Sequence, residues 1–138
     1  MKKFIFLMGL ISITVSMQSC SSNKSTYQQT TEVVTSDFSS GYFEKNIKGN
    51  EYEVSYRGLG MSQNKVFDLS MLRAAEITKD KGYKNFVVLS KTADFNQVKN
   101  HKIRTNSLKI ALYNDVPSKY QSYYNAISEY DRLSKNII

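Results

Sequence analysis

The sequence has one cysteine, one histidine and one proline, and it has no tryptophan. A single cysteine excludes an internal disulfide, so the fold must be held together by packing alone, even in an oxidising compartment. A metal site needs several converging His, Cys or carboxylate ligands, and His101 is the one imidazole on offer. His101 is also the only imidazole base for nucleophilic catalysis, and the chain has no Gly-x-Ser-x-Gly element. The sequence therefore predicts a protein that is not an enzyme and that holds no metal or cofactor.

The one cysteine, Cys20, follows a basic start and a short apolar segment. Lys2 and Lys3 precede residues 4–17, which are mostly apolar but include Ser and Thr. A membrane-spanning helix needs roughly 20 apolar residues, so this segment is short for one, and its order is typical of an export signal. With Ser19 before Cys20, it resembles a bacterial lipoprotein signal peptide. The resemblance implies that residues 1–19 are a signal peptide and that Cys20 is lipidated, whereas a buried first helix and a cleaved signal without lipid are the alternatives.

Lipidation at Cys20 would attach the chain to a membrane. Each buried methylene contributes about 0.8 kcal/mol, and lipoproteins carry more than one acyl chain, so the attachment is effectively permanent. Ser21 follows the cysteine, in place of the Asp that favours inner-membrane retention in the enterobacterial lipoproteins that the segment resembles. We therefore expect the protein in the cell envelope, lipid-anchored at the outer membrane and facing the periplasm.

The chain is basic, with a formal net charge of +7, part of which would leave with Lys2 and Lys3. A cytoplasmic protein of this charge would raise nucleic-acid binding as an option. Outside the cytoplasm, the available anions are lipid head groups, lipopolysaccharide phosphates and cell-wall carboxylates. No nucleic acid is therefore expected as a partner, and the surplus charge has the alternative role of limiting self-association.

Composition divides the rest of the chain into a tether and a domain. Residues 20–40 are rich in Ser and Thr with little apolar periodicity, which predicts a lipidated, flexible tether. Residues 41–138 have the length of a single small domain with one core.

Two extended runs, residues 42–47 and 51–57, open the domain. Between them, Gly49 suits a hairpin turn. The second run alternates between apolar and polar side chains, which predicts one core face and one solvent face. Its apolar residues are Tyr52, Val54 and Tyr56.

A helix is predicted from Ser62 or Asn64 to about Lys81. Either side chain can cap the first turn, and Gly82 occupies the position where a left-handed residue ends a helix. Apolar residues lie on two sides of the helix, which indicates contact with two elements. The larger set is Val66, Phe67, Met71, Ala74, Ala75 and Ile77, and the smaller is Leu69 and Leu72.

Two further strands follow this helix. Residues 85–90 are a continuous apolar run, which predicts a central strand covered on both faces. Residues 92–104 indicate a long loop or the end of an extended hairpin, and residues 107–113 indicate another strand that Pro117 stops.

A last helix is predicted over residues 118–134, because Ser118 and Gln121 form a capping box. Aromatic and apolar residues would share one of its faces, and these are Tyr120, Tyr123, Tyr124, Ile127 and Tyr130. The complete prediction is β-β-α-β-β-α, an α+β fold. It is a small two-layer sandwich with a mostly antiparallel sheet, one main helix packed on it and a C-terminal helix.

Three motifs occur in series across residues 54–89. The first ends Arg-Gly-Leu-Gly at Gly60, the second is Leu-Arg-Ala-Ala-Glu from Leu72, and the third runs from Gly82-Tyr83 to Phe-Val-Val. This series resembles a family of small bacterial lipoproteins of unknown function. Its members carry an Arg-Gly-x-Gly strand end, a Leu-Arg-Ala-Ala-Glu helix and a Gly-Tyr-x-x-Phe-x-Val strand. The resemblance implies a strand-helix-strand unit and an envelope lipoprotein, and it implies no catalytic residues.

Within these motifs, the residue types indicate mostly architectural roles. Gly58 and Gly60 permit tight backbone geometry between strand and helix. Arg73 and Glu76 lie three apart on the helix, which predicts a solvated ion pair on its exposed side.

A basic segment provides the candidate anion contact. It comprises Lys99, Lys102, Arg104 and Lys109, with Lys91 nearby. Side chains of this type bind lipid or lipopolysaccharide phosphates, and a solvated loop is the alternative. The tyrosine face of the last helix is a second candidate surface because Tyr is favoured at interfaces, with core packing as its alternative.

Two functional classes follow from the sequence. The first is a non-catalytic, membrane-anchored accessory, structural or sensory protein that contacts an envelope protein or a cell-wall partner. The second is a tethered domain that binds a small ligand or an anion.

Overall fold

The computed structural model of the chain describes residues 27–31 and 39–137. The elements are β1 (Gly41–Lys48), β2 (Glu51–Leu59), α1 (Gln63–Asp80), β3 (Asn85–Val98), β4 (His101–Tyr113), β5 (Tyr124–Asn125) and α2 (Ala126–Ile137). This order confirms the predicted α+β class and adds the two-residue strand β5. The predicted signal peptide, Cys20 and the parts of the predicted tether before Tyr27 and over residues 32–38 lie outside the described residues.

The strands form one antiparallel sheet in the order β1-β2-β4-β3-β5. Side chains on a strand alternate between faces, so residues that pair across neighbouring strands share a face. The face that holds Val54, Tyr56, Leu108 and Ile110 is buried against α1, and we call it the helix face. The opposite face carries no described helix, and we call it the open face.

The hairpin of β1 and β2 agrees with the prediction. Gly49 lies at the turn with a φ of 50°, a left-handed backbone conformation that glycine adopts without a Cβ penalty. Val54 and Tyr56 are fully buried, as their alternation predicts, and Tyr52 packs partly buried against the core. The predicted solvent face is wrong at Ser55 and Arg57, which are 1% and 3% exposed.

Helix α1 begins and ends where the sequence predicts. The Ser62 hydroxyl accepts a hydrogen bond from the Lys65 amide at 3.2 Å, so Ser62 rather than Asn64 is the N-cap. Gly82 ends the helix with a φ of 82°. The two apolar sides pack against the sheet and against α2, which confirms the prediction of two contacts.

One polar pair lies inside the α1–sheet core. The Asn106 amide donates to the Ser70 hydroxyl at 2.6 Å, and Ser70 in turn donates to the Phe67 carbonyl at 2.6 Å. Both residues are fully buried, so these hydrogen bonds fix how β4 and α1 lie against each other. The hydrophobic pattern of residues 63–80 and 101–113 does not predict this pair.

Strands β3 and β4 form one long hairpin with its turn at Lys99 and Asn100. The segment 92–104 is therefore the extended hairpin that the sequence left open, and not a loop. The prediction that residues 85–90 are covered on both faces is wrong towards their end. Phe86 and Val87 are buried, but Leu89 is 37% exposed at a β-bulge.

The predicted start of the last helix is wrong. Helix α2 begins at Ala126, and the Asn125 carboxamide oxygen, which accepts from the Ser128 amide at 3.0 Å, caps it. Ser118 instead belongs to a turn in which the Tyr120 amide donates to the Pro117 carbonyl at 3.1 Å. Pairing of β5 with β3 holds residues 124–125 extended, so the capping-box pattern is overridden.

The predicted tyrosine face is divided accordingly. Tyr120 packs on Tyr113 with 5.9 Å between ring centroids, and Tyr124 stacks on Phe86 at 5.3 Å. Tyr123 is 54% exposed. Three of the five residues thus precede the helix, so the prediction that all five share one helical face is wrong.

Residues 27–31, which belong to the predicted tether, lie along the outer edge of β1. The Tyr42 amide donates to the Gln28 carbonyl and the Thr30 amide donates to the Tyr42 carbonyl, both at 2.8 Å. This bridge is parallel, so the segment runs in the same direction as β1. The Tyr27 ring packs against Tyr42 with 5.1 Å between centroids.

Neither described helix combines the length and apolar character that crossing a bilayer requires.

Candidate functional surfaces

A groove of about 510 Å³ crosses the open face near the end where β2 stops. It is lined by residues of the four long strands, among them Phe43, Arg57, Asp94, Asn96, Ile103 and Thr105. Apolar, hydroxyl, amide and charged groups are therefore mixed along one concave surface. Neither the groove nor its residue set was predicted from the sequence.

Arg57 forms the floor of this groove. Its Nη2 donates to the Thr31 carbonyl at 3.0 Å and to the Thr30 hydroxyl at 3.4 Å. The guanidinium carbon lies 5.6 Å from the centroid of the Phe43 ring, which is within cation–π range. Burial lowers the pKa of Arg57 from its ordinary value. The arginine thus ties the segment 27–31 to the sheet and places a positive charge under the groove.

A smaller cavity of about 240 Å³ lies beside the groove. The two cavities share Phe43, and Thr30 and Thr31 line the smaller one. Lys45 and Glu53 also line it and form an ion pair at 3.4 Å. The open face therefore carries charges of both signs.

The four predicted anion-contact residues do not form one patch. Side chains alternate along β4, so Lys102 and Arg104 lie on the same helix face as the buried Leu108. Lys109, one residue further on, lies on the open face. Lys99 lies in the turn of the hairpin. Basic residues along a strand are divided between its two faces. Lys99 lies outside the strand, in the turn, and belongs to neither face.

Arg104 is used within the fold. Its Nη1 donates to the Met61 carbonyl at 2.9 Å, and its guanidinium carbon lies 5.0 Å from the Phe95 ring centroid. The Gly60 amide donates to the Lys102 carbonyl at 2.8 Å. These contacts fix the end of the β3–β4 hairpin to the loop between β2 and α1.

Lys99 and Lys102 are exposed, and neither takes part in the ion pairs found among the described residues. No acidic residue occurs between Phe95 and Arg104 in the sequence. The two lysines therefore present an uncompensated positive charge at the end of the hairpin. Lys91, by contrast, lies with its Nζ 4.6 Å from the Phe67 ring centroid.

A second charged cluster lies between α1 and β1. The predicted pair of Arg73 and Glu76 is present at 2.7 Å, and the same guanidinium donates two hydrogen bonds of 2.7 Å to Glu44. Arg73 also stacks 4.2 Å from the centroid of the Tyr42 ring. The prediction that this pair is solvated is wrong, because the Arg73 side chain is only 14% exposed.

Within the part of the chain that the structure describes, no group of three or more His, Cys, Asp or Glu residues has the arrangement of a metal site. His101 is exposed near the hairpin turn.

Comparisons of the chain with protein-family models, with curated proteins and with solved structures each return no match. The resemblance to the family of small lipoproteins, which was drawn from the motifs within residues 54–89, stays a prediction.

Proposed function

We propose that the protein is a non-catalytic lipoprotein of the cell envelope, anchored through acyl chains on Cys20. In this proposal, its domain is an accessory module that holds an extended segment of another envelope protein on the open face of the sheet. The observation that carries the proposal is the groove around Arg57.

The composition of the groove supports a peptide segment as its occupant. Asn96, Thr105 and Asp94 offer hydrogen bonds to a peptide backbone, and Phe43 and Ile103 offer apolar contact to its side chains. Arg57 and Asp94 bring opposite charges to the same groove, so a phosphate-rich surface would gain little there. A neutral or zwitterionic peptide matches this balance better.

The outer edge of β3 borders the same groove. Among the described residues, only Asn85 and Phe86 of β3 pair outward, and they pair with β5. The unpaired outer edge of β3 beside Asp94 therefore offers backbone groups to which an added strand could hydrogen-bond. A peptide that enters the groove could also extend this sheet.

Site-specific photo-crosslinking in intact cells tests this proposal. A photo-reactive residue at Asn96, on the rim of the groove, should give a discrete crosslinked protein band. The same residue at Asp131, which is exposed on α2, serves as the matched control and should give none. Equal products from both positions, or none from either, would contradict the proposal. A product that consists of cell-wall fragments would assign the groove to a cell-wall partner instead.

The anchor is tested separately by labelling with a palmitate analogue. The wild-type chain should carry the label and fractionate with the outer membrane, and Cys20→Ala should lose both properties. A label that survives the substitution would refute lipidation at Cys20.

A further inference from the structure

The far end of the β3–β4 hairpin, residues 95–104, contains Lys99, Lys102 and Arg104 and no acidic residue, and we call it the hairpin tip. Residues 95–102 of the tip are all exposed, with Phe95 at 56% and Val98 at 37%. The tip thus combines lysine charge with exposed apolar side chains. This combination is typical of protein segments that lie on anionic membranes.

The chain enters the described domain at the same end of the sheet. The segment 27–31 runs parallel to β1, so its first residue, Tyr27, lies at the end of the sheet where β1 begins. Gly41, the first residue of β1, pairs with Arg57 of β2. Arg57 pairs with Thr105 of β4, and Thr105 pairs with Asp94 of β3, so these four residues form one row across the sheet. The hairpin continues beyond this row to Lys99, so its tip projects from the end of the sheet at which Tyr27 lies.

Chain length keeps the hairpin tip close to the proposed anchor. Seven residue steps separate Cys20 from Tyr27, and a fully extended chain covers at most about 25 Å over that length. The tip extends roughly 16 Å beyond the row of Gly41, because a strand rises about 3.3 Å per residue. An acylated Cys20 therefore leaves the tip within reach of the bilayer surface.

The turn residue itself is unusual. Lys99 has a φ of 55°, which makes it the one non-glycine residue with a positive φ in the described part of the chain. Glycine adopts this conformation at lower cost than lysine does. Its side chain supplies charge at the outermost point of the hairpin.

We propose that the hairpin tip rests on the anionic head groups of the membrane to which Cys20 is anchored. Lys99 and Lys102 contact phosphates, and Val98, next to the turn, lies at the level of the head groups. This contact deepens the proposed anchoring and rests on the lipidation of Cys20. It fixes the orientation of the domain, with the hairpin tip towards the membrane and the junction of α1 and β3 away from it.

Hydrogen exchange on the lipidated protein in vesicles tests this contact. The protein is reconstituted in phosphatidylcholine vesicles with or without phosphatidylglycerol, and flotation shows whether it is bound. Amides of residues 95–104 should exchange several-fold more slowly when phosphatidylglycerol is present. The difference should shrink in high salt, because exposed charges are then screened.

Two matched variants separate charge from folding. Lys99→Gly/Lys102→Gln removes two charges from the hairpin tip and relieves the left-handed lysine, so the fold should be at least as stable while the lipid-dependent protection is lost. Lys81→Gln/Lys84→Gln removes the same charge at the opposite end of the sheet and should keep the protection.

Each remaining outcome decides against the contact. Equal exchange in both kinds of vesicle, with the protein floating in each, would overturn it and leave the anchor intact. Failure of the wild-type protein to float would overturn the anchor and this contact with it. Protection in intact envelopes that phosphatidylglycerol vesicles do not reproduce would assign the tip to a protein partner.

Discussion

At the scale of single residues, partners supplied by other elements change what a side chain does. Arg73 was predicted to pair with Glu76 alone, but β1 adds Glu44 and the ring of Tyr42. Burial by itself lowers the pKa of Arg73, and the hydrogen bonds that its guanidinium donates to Glu44 and Glu76 outweigh this effect, so the pKa is raised overall. A bidentate arginine therefore fastens α1 to the edge of the sheet.

Substitution Arg73→Lys should lower the free energy of unfolding by about 1–2 kcal/mol, because an ammonium group cannot reproduce the fork to Glu44. Urea denaturation at neutral pH measures this. The control is Arg132→Lys, in a pair with Glu129 whose arginine side chain is 56% exposed, where the loss should be less than about 1 kcal/mol. Equal losses at the two positions would contradict the role given to Glu44.

Tyr27 makes the stability of the fold sensitive to alkaline pH. Burial first, and then the charge and hydrogen bond of Glu76, raise its pKa above the ordinary value of a tyrosine. A raised pKa in the folded state means that the stabilisation is complete below about pH 10 and is lost as the pH rises further. Wild-type protein should therefore lose more unfolding free energy between pH 8 and pH 11 than Tyr27→Phe does.

Denaturation curves at the two pH values measure that difference. Tyr123→Phe is the control because Tyr123 is 54% exposed, and it should retain the wild-type pH dependence. A pH dependence that is unchanged in Tyr27→Phe would show that Tyr27 does not contribute to the loss of stability at alkaline pH.

At the scale of elements, the junction of β2 with α1 depends on a missing side chain. A Cβ on Gly58 would lie 2.7 Å from the Met61 sulfur and 2.9 Å from a Val66 methyl carbon. Gly60 has a φ of 63° and free space around it, so its role is backbone conformation alone. The two glycines of one motif thus serve different purposes, as the sequence could indicate only in general terms.

Gly58→Ala should destabilise the protein by about 1–3 kcal/mol, because the added methyl overpacks the junction. Gly60→Ala should cost about 1–2 kcal/mol from backbone strain. Thermal unfolding measures the loss of stability in each variant. Adding the substitution Val66→Ala distinguishes the steric effect at Gly58 from the backbone strain at Gly60. Adding Val66→Ala should make Gly58→Ala less costly than the two single effects combined, and it should leave the cost of Gly60→Ala unchanged. Simple additivity at Gly58 would contradict the steric explanation.

At the scale of the whole molecule, the segment 27–31 connects the domain to the proposed anchor. A Cβ on Gly41 would collide with the Gln28 carbonyl oxygen, so only glycine allows the segment to lie this close to β1. Arg57 and Tyr27 hold the segment on the two faces of the sheet. The proposed position of the hairpin tip on a membrane depends on this attachment.

Gly41→Ala should release the segment and leave the sheet folded. Proteolysis near residues 27–31 should become at least tenfold faster, and exchange of the Tyr42 amide should increase, because that amide donates to Gln28. Gly49→Ala is the control, since it strains a turn with open space around it and should leave proteolysis of the segment unchanged. Unchanged proteolysis in Gly41→Ala would contradict the close approach.

The sequence by itself determined the features that depend on neighbouring residues. Local backbone preference places the turn at Gly49, the cap at Ser62 and the end of α1 at Gly82. Side-chain alternation predicts the core positions Val54 and Tyr56. The lipoprotein signal around Cys20 is of the same local kind and stays a prediction.

Only the tertiary structure decided what depends on residues far apart in the chain. It placed the start of α2 at Ala126, because strand pairing with Asn85 outweighs the capping pattern at Ser118. Arg57 is held on the open face by the Thr31 carbonyl, and the groove that it lines is assembled from four strands, in two hairpins that are distant from one another in the sequence. Such contacts repay the entropy of closing long loops only within the assembled core, and no short stretch of sequence encodes them.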